Sequence, residues 1–261
     1  MQHIANVFSL GAIYALLTLG YALITTVLRF LNFAHADVLV LSCYLFALTK
    51  SPVLAVFGAV AVNLAVFLVY QKSEKTLTCA IGISILIEYL LMLVFSSQPK
   101  VSGVSSPLVR VFGAVVEKGA MWGIVLSLFL ALSLFALLKF TRLGLFLRAI
   151  ADNAFSASLV GINRPLMFGA SFAISGLLAG VGGVVYSLSY PFTPFLGASL
   201  SIKAFVCATL GGKNSLVGAF LAGFLLSALE TAVCVFVGSG WRDIVTFLTL
   251  TAVILTDKKG W

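Results

Sequence analysis

Few residues in this chain have side chains that do chemistry, and those few sit in unusual places. There are two histidines, His3 and His35, and eight acidic residues in 261 positions. His35 lies in the run Asn32-Phe33-Ala34-His35-Ala36-Asp37, a short polar interruption between two apolar stretches. A histidine near Asp37, with Glu88 as a further carboxylate, is a pattern able to move protons. The same side chains also suit a quieter role, in which Asp37 is the N-cap of a short helix and its neighbours satisfy freed backbone groups. A role facing a cavity also remains open, because broken helices flank solute sites in transporters.

Four more polar residues sit inside apolar runs: Asn63, Glu88 in GISILIEYLLM, Lys203, and Glu230 in LLSALETAVCV. Polar groups at membrane depth are costly and face a pathway, a partner or one another. Lys203 can pair with either glutamate as a structural salt bridge, and each of the four remains a candidate for lining a translocation path. The segment Gly211-Gly212-Lys213-Asn214-Ser215 superficially resembles a phosphate loop. A Walker A motif needs G-x-x-x-x-G-K-[ST], and here Cys207 stands at the first glycine position and Asn214 follows the lysine. A tight turn with Lys213 as an anchor is expected instead. Cys43, Cys79, Cys207 and Cys234 form no CxxC pair and read as free thiols in apolar surroundings. No metal-ligand cluster appears in the sequence.

The elements that must carry these residues are membrane helices. Hydrophobic residues make up 61% of the chain and charged residues 9%, with a mean hydropathy of +1.16. A soluble domain has about 25% charged residues, so this composition excludes one. The net charge of +8 is spread over short gaps between apolar runs, which excludes a nucleic-acid face and fits cytoplasmic loops. A crossing needs about 20 apolar residues. The expected spans are 7–28, 37–49, 52–70, 77–95, 121–138, 166–189, 197–211, 215–237 and 242–255, with the second and seventh short. The fold class is therefore all-α, a polytopic transmembrane helical bundle of about 8–10 spans with broken or short helices. The first run is expected to be a retained span rather than a cleaved leader. Lys72 and Lys75, the 139–165 loop and Lys258 and Lys259 all fall on one side if there are nine crossings. The outward stretch 96–120 carries Lys100, Arg110 and Lys118 against that rule. Gly176 and Gly180 form a GxxxG, and Ala219 and Gly223 a second small-residue pair, suited to close helix packing.

The most informative loop is 141–165, TRLGLFLRAIADNAFSASLVGINRP. Small residues at Ala149, Ala154, Ala157 and Ser158 alternate with apolar Ile150, Phe155, Leu159 and Ile162. This predicts one short amphipathic cytoplasmic helix, stopping near Gly161, with Pro165 opening the next span. Such a helix docks in a groove on a partner or lies on the lipid interface.

The sequence resembles the permeases of the branched-chain amino acid ABC importer family. The resemblance rests on GAIYALLTLGYALITTVLRFLNFAHADVLVL with its Asn32-Phe33-Ala34-His35 signature, on LRAIADNAFSASLVGINRP, on the glycine-rich span, and on KAFVCATLGGKNSLVGAFLAG. Ala36 replaces the glycine usual in that family after the histidine, and Gly-Gly-x-Gly-Ser reads Gly211-Gly212-Lys213-Asn214-Ser215. The resemblance covers most of the chain except 96–120 and implies a single permease domain, 1–261. It implies that the loop helix is the coupling helix, with Arg148, Asp152, Asn153, Ala154, Ala157 and Gly161 in a cleft of an ATPase subunit. It also implies a second permease, an extracytoplasmic solute-binding protein and a bacterial inner membrane. No cofactor is expected on this chain, with ATP and Mg bound by the partner ATPases. The implied solute is a branched-chain or other amino acid or a small amide such as urea, with simple sugars and nucleosides as the alternatives. A membrane-embedded enzyme using His35 is the rival from another class.

Overall fold

In the computed structural model, residues 2–73, 75–104, 107–111, 114–212 and 215–256 are described. Eleven α-helices account for most of them: α1 (Gln2–Leu28), α2 (Ala34–Thr49), α3 (Pro52–Gln71), α4 (Thr76–Phe95), α5 (Lys118–Phe140), α6 (Arg142–Asp152), α7 (Ala154–Leu159), α8 (Arg164–Ser189), α9 (Leu196–Leu210), α10 (Leu216–Phe236) and α11 (Arg242–Thr256). Six of them, α1, α3, α4, α5, α8 and α10, are long and apolar enough to cross a membrane, and α2 and α9 are shorter apolar helices. The chain is an all-α polytopic bundle. Among the described residues it departs from this in a small antiparallel hairpin, β1 (Leu108–Val111) with β2 (Ala114–Glu117), inside the stretch where the family resemblance fails.

Local sequence explains the helix ends. Pro52 and Pro165 lie in the first turns of α3 and α8, where a missing N–H costs nothing. Ser51, Asn163 and Ser215 each accept a backbone N–H as N-caps of α3, α8 and α10. The helix α1 starts at Gln2, earlier than the expected Val7, because its outer turns are capable of helix although not apolar enough for lipid. The loop helix is corrected from one to two. Asn153 ends α6 and caps α7, its Oδ1 accepting from the N–H groups of Phe155 and Ser156 at 3.0 Å. An asparagine offering that acceptor starts a new helix in preference to extending the old one.

The core is built around α1, of whose most apolar window 89% is buried inside the bundle. It packs against α10, α8, α5 and α9, while α2 lies between α8, α3 and α9. Small residues make the close approaches. Gly176 and Gly180 of the GxxxG face the backbone of Val60 and Val56 on α3, and Gly223 faces that of Ala15 on α1. Without a hydrophobic drive between helices in lipid, such backbone proximity supplies the association. Leucine-rich faces of α4 and α5 point outward, with Leu93 and Phe129 exposed. On a soluble protein these would be liabilities; here they meet lipid.

Candidate functional site: a polar break, a buried ion network and a basic helix pair

After Leu28 the chain leaves α1 through Arg29 (φ 57°) and re-enters the bundle at Ala34. Asn32 is fully buried, and its Oδ1 accepts from the Tyr70 hydroxyl of α3 at 2.9 Å. His35 is fully buried, its ring seated against Gly20 and within reach of the Leu17 backbone of α1. Gly20 is needed there, since a methyl group in its place would meet Nε2 at 2.7 Å. Asp37 is not the expected N-cap. The helix α2 begins three residues earlier, with Phe33 at its cap, so Asp37 falls in the first turn and is buried. Its carboxylate has Ser84 of α4 beside it and Gly197 of α9 directly against it.

Glu88 of α4 reaches the same place. Its Oε1 accepts from the N–H of Ala198 at 3.2 Å, in the first turn of α9. Ser201 of α9 donates to the Phe33 carbonyl at 2.6 Å. Two carboxylates thus converge on the amino end of a short helix, where unpaired N–H groups and the helix dipole favour negative charge. Glu88 takes no part in the pairing with Lys203.

Lys203, lower on α9, pairs with Glu230 of α10 at 2.9 Å. Both are buried, and Glu230 is fully so. Its other acceptor sites are filled by the Tyr14 hydroxyl of α1 at 2.8 Å and the Thr246 hydroxyl of α11 at 2.9 Å. Arg242 lies 3.6 Å from Glu230, and Asp243 lies 3.4 Å from Lys203. The two cations balance the two anions. A buried ion pair survives only when its remaining lone pairs and protons are also satisfied, as those of Glu230 are here by Lys203, Tyr14 and Thr246. Tyr14, Thr246, Arg242 and Asp243 were not expected members of the site, because nothing in their local runs marks them. Asn63 on α3 donates to the Phe172 carbonyl at 2.6 Å and the Ser175 hydroxyl at 2.8 Å, tying α3 to α8.

The basic end of the bundle carries α6 and α7. Arg148, Asp152, Asn153 and Gly161 are exposed, Ala154 is half-buried, and Ala157 turns inward. Beside them Phe155, Leu159 and Val160 are 66%, 72% and 78% exposed. Gly161 ends the pair at φ 87°, where glycine is at ease. Arg29, likewise unexpected, ties this unit to α1: its guanidinium donates to the carbonyls of Ala151 and Asp152, both at 2.8 Å. Its only sequence signal is a cation at the end of the first span. Lys213 and Asn214 of the expected tight turn, and Lys258 and Lys259, lie outside the described residues; Gly212 has φ 86°, as a turn requires. The four cysteines are free. Among the described residues no three His, Cys, Asp or Glu side chains converge as metal ligands.

Apolar helices of crossing length, charges that among the described residues are buried in pairs or at helix ends, and short helices meeting at a polar break define a multi-pass membrane protein of the transporter type. The family model for branched-chain amino acid transport system / permease component matches residues 3–254. The whole chain is 30% identical to 94% of the high-affinity branched-chain amino acid transport system permease protein BraD of Pseudomonas aeruginosa. It is 26% identical, over the whole chain and 94% of the relative, to the permease protein LivH of Escherichia coli. A shorter match, 32% over 133 residues, links 47% of the chain to 38% of the autoinducer 2 import system permease protein LsrC of Klebsiella pneumoniae. No solved structure matches the chain. The chain belongs to the branched-chain amino acid transport permease family.

Proposed function

We propose that this chain is the membrane-spanning permease subunit of an ATP-driven importer of a branched-chain or other amino acid in a bacterial inner membrane. The observation that carries this reading is the α6–α7 unit: a compact helix pair at the basic end of the bundle, presenting Phe155, Leu159 and Val160 to solvent. Basic loops stay in the cytoplasm, which puts this unit on the side where nucleotide is available. Exposed apolar side chains on a short rigid helix suit a groove on an ATPase subunit, which would push on the bundle when it closes over ATP. In this reading Arg148, Asp152, Asn153, Ala154, Ala157 and Gly161 form or support the docking face. ATP and Mg belong to the partner, and the chain itself is a transport subunit rather than an enzyme. A second permease copy or paralogue and an external solute-binding protein complete the importer.

The polar break and the buried network are assigned different weights. Glu88, Lys203 and Glu230 have their charged groups engaged with other helices and Asn63 donates from its Nδ2 to α8, so they serve first to hold the bundle. Asn32, His35 and Asp37 of the break have unfilled hydrogen-bonding atoms in the core, as does the Asn63 Oδ1, and the break residues are the better candidates for facing the solute when the bundle opens. The part-length likeness to an autoinducer 2 import permease favours, as a second reading, a solute outside the amino acids, of which a simple sugar is the one the family resemblance also allows.

Affinity purification of the tagged protein from its membrane tests the first reading. A co-purifying ATPase subunit is expected, and it should be lost with Ala154→Glu or Gly161→Glu while the chain still inserts. Retention of the ATPase and of uptake in both variants would sink the coupling assignment. Uptake of radiolabelled leucine against a labelled sugar separates the two solute classes.

A further inference from the structure

Arg29 occupies a left-handed conformation that side-chain-bearing residues rarely adopt, at the point where α1 ends. That turn brings the guanidinium onto α6. One nitrogen, Nη2, donates to the carbonyls of both Ala151 and Asp152. These belong to the last turn of α6, whose carbonyls have no partner within the helix. A cation there also meets the negative end of the helix dipole. The chain neighbours of Arg29 matter as much. Phe30 and Leu31 follow it directly, and Asn32 and His35 of the polar break lie three and six residues on. Arg29 also lines a cavity of about 630 Å3 between the inner ends of α1 and α9, with Thr25, Thr26, Phe205 and Gly212. This one residue therefore bonds the carboxyl end of α6, lines that cavity and directly precedes the break.

We propose that Arg29 is the positioning residue that carries movement of α6–α7 to the α1–α2 break and to the wall of this cavity. The inference rests on the coupling role given above to α6–α7. The helix α6 is also covalently continuous with α5 and leads through α7 to α8, and α5, α6 and α8 all pack on the body of α1, but those contacts do not lead into the segment between α1 and α2. The Arg29 bonds lead to the exit of α1, immediately before the break. Two bonds to carbonyls on one rigid helix end make a strut. A planar, permanently charged guanidinium, giving both bonds from one nitrogen, holds such a geometry better than the mobile ammonium of lysine.

The test is the intact importer, the permease with its ATPase subunits and solute-binding protein, reconstituted in liposomes. Arg29→Gly is the informative variant, because glycine accepts the left-handed turn and removes only the strut. ATPase subunits should still co-purify with Arg29→Gly, and basal ATP hydrolysis should stay unchanged. Solute imported per ATP should fall about tenfold, within the usual range of coupling between distant sites. Arg29→Lys should recover part of it. Thiol labelling of Leu31→Cys, measured over the background of the native cysteines, gives a second readout. Its rate should respond to ATP plus vanadate with Arg29 present and not with Arg29→Gly. An unchanged import ratio, a preserved nucleotide response in Arg29→Gly, or loss of ATPase association in that variant would each overturn the strut and leave the coupling helix in place. If ATPase subunits fail to associate with the native chain, or if Ala154→Glu and Gly161→Glu couple normally, the coupling reading falls, and the strut with it.

Discussion

Replacing Lys203 by methionine should be among the most damaging single changes in this molecule, because of what it leaves behind. Methionine fills the same space without the charge. Glu230 would stay fully buried, with its hydroxyl donors Tyr14 and Thr246 but without the cation at 2.9 Å. Removing one partner of a buried ion pair costs roughly 3–5 kcal/mol, since the other charge is left uncompensated. Arg242, 3.6 Å from Glu230 and partly exposed, can move closer and offset part of this, so the lower end of that range is expected. For a chain of this size each kcal/mol moves the melting temperature by roughly 2–4 °C, giving a drop of about 6–12 °C. Purified protein in one fixed detergent, heated at one fixed rate and followed by loss of the monodisperse peak, reads this out. Lys203→Met combined with Glu230→Leu should be less harmful than Lys203→Met alone, because the orphaned charge has gone. The reasoning fails if Lys203→Met melts within about 1 °C of the native protein, less than roughly 0.5 kcal/mol on the same scale. It fails also if the double variant is worse than the single one.

Two further perturbations have expectations as definite. Gly197→Ala would set a methyl group well inside contact distance of Asp37 Oδ1 and its Cα, so α9 must shift or Asp37 must turn; a loss of roughly 1–3 kcal/mol is expected from such overpacking, read as lowered yield and melting temperature. A variant of native stability would mean that the amino end of α9 has room to move. Asn63→Leu removes the donor to the Phe172 carbonyl and the Ser175 hydroxyl, leaving those buried acceptors to their own helix, at a cost of about 1–3 kcal/mol in the same melting assay. Stability equal to the native protein would show that α3 and α8 are held by their glycine contacts alone.

Much of this architecture is legible in the chain, and the places where it is not have physical reasons. Long apolar runs and Lys/Arg gaps locate the spans, because burial in lipid constrains composition more than it constrains residue identity. Helix starts read well where a proline and a cap coincide, as at Ser51-Pro52 and Asn163-Arg164-Pro165. They read poorly at Asp37, which has the chemistry of a cap and sits one turn inside the helix. The loop helix splits at Asn153 because a local side-chain bond outcompetes continuation, and periodicity, which sees only faces, is blind to that. The choice between Glu88 and Glu230 as the partner of Lys203 was decidable in principle. The helices α9 and α10 form a hairpin through Gly211 and Gly212, so Lys203 lies about 12 Å and Glu230 about 22 Å from the turn, at 1.5 Å per residue. A lysine spans most of that difference. Glu88 belongs to a helix whose level relative to α9 is fixed only by packing, as are Tyr14 and Thr246.

The short helix α9 is where these observations meet. Its amino end receives Asp37 and Glu88 from α2 and α4; its middle holds Glu230, and through it Tyr14 of α1 and Thr246 of α11. Such a helix, only 15 residues long, cannot slide or tilt without unpairing a charge in a medium where an unpaired charge is costly. Among the described residues its carboxyl end carries no comparable ion pair. Phe205 and Ala208 are half-buried there and border the cavity that Arg29 also lines. If the bundle opens at its basic end, the opening is thus confined to the side of α9 that charge does not hold, and the polar contacts above Lys203 act as the pivot. That division follows from where the charges are paired, and the proposed Arg29 strut lies at the end of the bundle away from those pairs.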